Sequence, residues 1–324
     1  MPRRKKVSDS VVVITGASSG IGKATAYELA HHGAALVLAS RREEALDEVR
    51  KRCEERGAHA LAVPTDVTNE DQVKELAKRA AETFGRIDVW MNNAAVTLFG
   101  KVEETPTRPY FRVIETNLFG YILGARAVLP YFREQGHGTL INMDSVVGST
   151  PQPYTSAYVI SKAGIRALSA SIRMELSLDG AKNIHVSTIM PATIDTPFFQ
   201  HAANYTGREV KAMEPVYPPE KVARAVVQMI ESPKREVYVG AAGRLMAAEH
   251  AVAPGFWEWM GARQVDANHL KETPAEQSEG NLWEPSSRYT GVHGGWQHDG
   301  GFPIGKLALA GTALAVAAVT LRRR

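Results

Sequence analysis

The hydrophobic pattern of the chain switches repeatedly between two periods. Short aliphatic or β-branched runs fall at 11–14, 35–39, 61–63, 87–91, 138–143, 184–190 and 236–239. Continuous apolar runs of that length predict strands buried on both faces, as in a parallel sheet. Between them, apolar residues recur at helical spacing, and helices are expected after the glycine turn to residue 32, to about 56, and over 69–84, 108–127, 156–178 and 218–230. Strand and helix alternate to about residue 240, the pattern of an α/β, doubly wound parallel sheet in a single domain. From 198 to 215 the period is lost and aromatics gather, which reads as a mobile lid over an apolar site.

The junctions between elements carry the chemistry. The first strand runs into Thr15-Gly16-Ala17-Ser18-Ser19-Gly20-Ile21-Gly22 and then a helix. A strand, a glycine turn and a helix N-terminus present backbone N–H groups to a phosphate. The second strand ends in Ser40-Arg41-Arg42, where folds that bind NAD carry an acidic residue for the ribose 2′-hydroxyl. Guanidinium groups there suit a 2′-phosphate, which favours NADP(H) over NAD(H). Asp66, at the third strand's end, can accept from the adenine amino group. Asn92 and Asn93 follow the fourth strand, where their amides can bridge strands, and Ala94 leaves room for a cofactor. Asn117 lies inside a predicted helix, where its amide competes for backbone groups.

Ser145 follows the fifth strand, at the end where open α/β sheets bind ligands. Tyr158 and Lys162 are one helical turn apart. An ammonium beside a phenol favours the phenolate, so Lys162 is expected to lower the Tyr158 pKa. Tyr154 has no lysine four residues on and is set aside.

Composition narrows the class without changing this picture. The chain has 324 residues, 44% hydrophobic and 23% charged, with a net charge of +3 and no basic stripe with interleaved aromatics. Nucleic acid is therefore not an expected partner. The lone Cys53 excludes an internal disulfide and fits a reducing, cytoplasmic setting. The run at 11–14 is too short for the core of a secretory signal.

Taken together, Thr15-Gly16-x3-Gly20-x-Gly22, Asn92-Asn93-Ala94, Asn117, Ser145 and Tyr158-x3-Lys162, in that order, resemble the short-chain dehydrogenase/reductase family over roughly 8–245. The resemblance implies a Rossmann-type domain that interconverts carbonyls and alcohols with NAD(H) or NADP(H). It implies Tyr158 as general acid/base, with Lys162 lowering its pKa and holding the nicotinamide ribose. Ser145 would bond the substrate oxygen, and Asn117 would support a water that links Lys162 to solvent. Asp66 and Val67 would flank the adenine. Pro191, Ile194 and Thr196 would sit at the nicotinamide, the last two meeting its carboxamide. Ala95 and Ala192 stand where the family usually has glycine, each adding a methyl near the cofactor. Family members often pair into homo-oligomers through the helices matching 108–127 and 156–178.

The remaining segments are a basic stretch at 1–8, an aromatic amphipathic segment at 246–262, a polar linker at 263–301 and an apolar helix at 302–324. The last is a candidate membrane anchor, although 307–321 as a helix reaches only about 22 Å at ~1.5 Å per residue. The catalytic domain spans 9–245, and the main expectation is an oxidoreductase that transfers hydride between NADP(H) and an apolar carbonyl or alcohol. The competing reading is a membrane-tethered scaffold that keeps the nucleotide fold without turnover.

Overall fold

The computed structural model describes residues 6–297. The apolar segment at 302–324 and most of the basic 1–8 stretch lie outside them. Among the described residues, no helix is long and apolar enough to cross a membrane.

In chain order the elements are β1 (Val11–Thr15), α1 (Gly20–His31), β2 (Ala35–Ser40), α2 (Glu43–Glu54), β3 (Ala60–Pro64), α3 (Glu70–Phe84) and β4 (Val89–Asn92). Then come β5 (Leu98–Phe99), α4 (Thr107–Ile114), α5 (Gly120–Gln135), β6 (Gly138–Met143), α6 (Ser156–Leu178) and β7 (Ile184–Pro191). The chain continues through β8 (Ala203–Asn204), β9 (Arg208–Val210), α7 (Pro219–Glu231), β10 (Glu236–Val239), α8 (Ala241–Val252), α9 (Pro254–His269) and β11 (Leu270–Pro274).

Seven strands form one parallel sheet in the order β10-β7-β6-β4-β1-β2-β3. Each expected strand is present, and side chains alternate between its two faces as the pleat requires. Val12, Ile14, Leu36 and Leu38 pack with Leu29 of α1, Leu46 of α2 and Val226 of α7. Val13, Val37 and Ala39 face the other way, onto Leu76 of α3, Phe132 of α5 and Ile172 of α6. Both layers are largely apolar, with buried polar side chains such as Asn92, Thr139, Asn142, Ser187 and Thr188 concentrated on β4, β6 and β7. The chain leaves β1 toward β2 and β3, then returns to place β4 on β1's other side. The crevice for a ligand lies at that reversal.

Three expectations change. The helix expected at 108–127 is α4 and α5 joined by a π turn at Glu115–Phe119. The segment at 198–215 is pinned rather than an open lid: β8 pairs with β5, and β9 with β11. The polar stretch at 263–301 is not a linker over its described part. It continues α9 to His269, forms β11, and then packs along the body by backbone bonds such as Ser278 N–H to the Asn204 carbonyl at 3.0 Å and Asn281 N–H to the His201 carbonyl at 3.0 Å. Backbone pairing needs no apolar period, so the sequence pattern could not show it. The aromatic segment at 246–262 spans parts of α8 and α9, where Trp257, Gly261 and Val265 form a buried face while Trp259 is exposed.

Candidate active site

The turn after β1 and the loop after β4 meet at the reversal point. Asn93 ties them together. Its N–H reaches the Thr15 hydroxyl at 2.9 Å and its side-chain amide reaches the Thr15 carbonyl at 2.9 Å. Gly16 has φ +68°, and a Cβ there would stand 2.8 Å from the Ala94 backbone, so only glycine fits. A Cβ on Gly22 would meet the Gly16 carbonyl at 2.2 Å. The two glycines thus let the turn fold onto the start of α1.

One cavity of about 290 Å³ runs from Ser40 and Asp66 past Ser18, Ser19, Gly20 and Ile21 to Ser145 and Tyr158. Arg41, Arg42, Val67, Ala94, Lys162, Pro191, Ile194 and Thr196 also line it. Of the expected site residues only Gly22 and Asn117 stand behind the wall. Ala95 and Ala192 line it too. Among described residues other than glycine, only Tyr154 and Tyr289 have positive φ, so neither alanine is in the strained left-handed region.

The catalytic candidates sit where β6 delivers its chain end beside the first turns of α6. Pro151 and Pro153 precede that helix, and Thr155 is its N-cap residue. Lys162 is buried and its Nζ donates to the Met143 carbonyl at 2.7 Å, which also accepts from the Tyr121 hydroxyl at 3.0 Å. The same Nζ lies 5.3 Å from the Tyr158 ring centroid. The Ser145 hydroxyl contacts the Tyr158 phenol. Ser145 Oγ also accepts the Val147 N–H at 3.4 Å, which holds it at the start of a short 3₁₀ turn.

The electrostatics reverse one expectation. Burial pushes the Tyr158 phenol above its ordinary value, Asp144 pushes it further, and only the Ser145 contact works against them. Burial pulls Lys162 below its ordinary value, with Asp144 opposing. Its ammonium is directed at a backbone carbonyl, and a carboxylate beside it offsets its field. Asp144 is itself pushed up to about 7 by burial, against the pull of Lys162, the Ser145 N–H and Arg166. Asp144 was missed in the sequence. The available signal was an ionisable residue directly after the apolar run of β6.

Asn117 serves the scaffold through its side chain. Its Oδ1 accepts the Val96 N–H at 2.8 Å, and its Nδ2 donates to the Val96 carbonyl at 2.9 Å and to Ser161 Oγ at 3.2 Å. That holds the loop after β4 against α6 across the π turn. Asp66 is likewise engaged: Thr68 and Arg112 bind its carboxylate, with Arg112 Nη2 at 3.2 Å. Burial would raise its pKa, but these contacts outweigh it and hold it low.

The far end of the cavity is apolar, lined by Phe99, Val147, Phe198, Phe199, Met213 and Met246. Phe198 lies 5.6 Å from the Tyr158 ring. His269, at the end of α9, completes this wall, with rings of Phe99 and Phe199 at 5.5 and 5.7 Å. A carbonyl only accepts, so the 2.9 Å contact to the Lys211 carbonyl places the ring proton on Nδ1. Burial keeps the imidazole neutral by lowering its pKa. No sequence signal marked it. Cys53 is buried in a core cluster, and burial pushes its thiol up to about 12, so it is inert.

The family model for short chain dehydrogenase matches residues 10–205. The chain belongs to this family. Over 277 residues it is 37% identical to the uncharacterized oxidoreductase YxnA of Bacillus subtilis, covering 85% of this chain and 78% of that one. An uncharacterized oxidoreductase of Staphylococcus saprophyticus is 34% identical over 231 residues, 70% of this chain and 92% of the relative. Among solved structures, an alcohol dehydrogenase from Thermococcus sibiricus complexed with 5-hydroxy-NADP is 28% identical, with a TM-score of 0.62 over 71% of this chain and 95% of that one. A short-chain dehydrogenase/reductase from Burkholderia phymatum in complex with NAD has a TM-score of 0.70 over 78% and 97% of the two chains. At 24% identity that second likeness shows the fold alone. Members of this family are NAD(P)-binding oxidoreductases, and the family match ends well before α8, α9 and the segment after them.

Proposed function

We propose that the protein transfers hydride between NADP(H) and an apolar carbonyl or alcohol, with Tyr158 as general acid/base. The carrying observation is the single cavity that joins the glycine turn after β1 to Ser145, Tyr158 and Lys162. The site fits a dinucleotide: a helix N-terminus at α1, whose Gly20 N–H bonds the Gly291 carbonyl, guanidinium groups at the end of β2, which bond the Asn281, Trp283 and Ser286 carbonyls, and small residues where β1 meets β4. A bound nicotinamide cofactor would supply the hydride.

The remaining work falls to side chains of this chain. As a carbonyl is reduced, charge grows on its oxygen. The Ser145 hydroxyl and the Tyr158 phenol are two donors on one side of the cavity, and both stabilise that charge. The raised Tyr158 pKa keeps the phenol protonated at neutral pH, ready to give its proton to the new alkoxide. Lys162 orients the ribose and favours the phenolate that remains. Phe99, Phe198 and Phe199 exclude water and select an apolar substrate.

The preference for NADP(H) rests on Ser40-Arg41-Arg42, and a reducing compartment fits the lone buried thiol. Self-association fits Phe111, Phe119, Ile160, Met174 and Leu178, which are exposed on α4, the π turn and α6. The test is a panel of ketones and aldehydes with NADPH, followed by loss of the reduced cofactor's near-ultraviolet absorbance. Consumption fastest with apolar ketones is expected. Nucleotide binding without consumption across the panel would leave a binding protein instead.

A further inference from the structure

The stretch from 281 to 296 has no hydrophobic period, yet it bonds to residues at or beside the cavity in three places. At the adenosine end, Arg41 Nη1 donates to the Trp283 carbonyl at 2.8 Å, and its Nη2 donates to the Asn281 carbonyl at 2.7 Å. Arg42 reaches the Ser286 carbonyl. The Trp283 ring lies under the Arg108 guanidinium at 4.3 Å. In the middle, the Gly20 N–H at the start of α1 donates to the Gly291 carbonyl at 3.0 Å. At the nicotinamide end, Asp195 Oδ1 accepts the Gly294 and Trp296 N–H groups at 3.1 and 2.7 Å.

The cavity continues beneath this cover, with Asn281 and Ser286 forming part of its lining beside Arg41 and Arg42. Asn281 Oδ1 is buried without a hydrogen-bond partner. A buried acceptor left unpaired is costly, and an adenine amino group or ribose hydroxyl is a donor of the right kind.

We propose that residues 281–296 are a strap that completes the dinucleotide site from outside, with Asn281 accepting from the adenosine part, and that the cofactor enters and leaves only when the strap unlatches. The proposal rests on the reading of this cavity as a nicotinamide dinucleotide site. The latch combines polar contacts, largely to backbone carbonyls, with one buried side chain, Leu282, which packs with Val96, Leu98 and Tyr205 in a cluster separate from the two that cover the seven-stranded sheet, so it opens locally without disturbing that sheet. A ligand enclosed in this way dissociates at the rate of opening, as with other lids that limit release.

The test uses the full chain. Stopped-flow release of NADPH, read by nucleotide fluorescence, is compared between wild type and Trp283→Ala. Removing the cation–π seat of the latch is expected to speed release about tenfold. Hydrogen exchange of peptides across 281–296 in the wild type gives a second readout that needs no variant. Saturating NADPH is expected to slow exchange there. Unchanged release from a folded variant, or exchange at 281–296 insensitive to NADPH, overturns the strap. If neither NADPH nor NADH binds the wild type, the cofactor reading itself fails and the strap falls with it.

Discussion

The seven-stranded sheet and the segment at 281–296 flank the same cavity, and they are held by different forces. The sheet's strands bury aliphatic side chains on both faces, with Val12, Val13, Ile14, Leu36, Val37 and Leu38 fully covered. Its stability is hydrophobic and cooperative. The strap has one fully buried side chain, Leu282, and is otherwise held largely by arginine side chains and backbone amides bonding to carbonyls and to Asp195. Such contacts exchange readily with water and contribute modestly each. One region therefore fixes the site's geometry, while the other decides how the site is closed.

The comparison breaks first at the core. Leu38→Ala is expected to cost about 2–5 kcal/mol of unfolding free energy, because it leaves a cavity between the sheet and its helices. Arg42→Ala, which removes one strap contact, should cost only about 0.5–1.5 kcal/mol. Denaturant titration of both variants checks the contrast; equal losses would mean that the strap is part of the cooperative core.

A second, smaller effect separates two roles of Arg41. If it holds a 2′-phosphate, Arg41→Ala lowers the ratio of NADPH to NADH affinity by about tenfold. Equal weakening of both nucleotides in calorimetric titration would assign Arg41 to the strap alone.

The smallest effect is a pH dependence. Burial lowers the pKa of His269 below its ordinary value. The unfolded chain then binds more protons than the folded one as pH falls through that ordinary value, near ~6.5. Stability from this group is present above that pH and lost below it. His269→Gln should flatten the fall in melting temperature between neutral and mildly acidic pH, and a slope identical to wild type would remove His269 as its source.

The same contrast explains what could be read from the chain. The strands were legible because burial on both faces writes itself as continuous aliphatic runs. The glycine turn, Ser145, Tyr158 and Lys162 could be placed on one cavity because they fall at element ends, where an α/β sheet gathers its loops. The strap was not, since its acceptors are backbone carbonyls that any residue supplies, and Arg41 finds its partners some 240 positions away. The direction of the Tyr158 shift was also hidden. One helical turn brings Lys162 near, but the phenol's shift comes from burial and Asp144, and neither follows from spacing. His269 and Asn281 reach the cavity from beyond the family match, where no motif exists to mark them.

The central claim is that Tyr158 moves the proton. The direct measurement is steady-state NADPH oxidation by Tyr158→Phe with the best apolar ketone, alongside an independent titration of NADPH binding. The account predicts turnover reduced about 10²–10⁴-fold, the scale of lost general acid catalysis, with NADPH affinity nearly unchanged. Turnover equal to wild type in a folded, nucleotide-binding variant would contradict it.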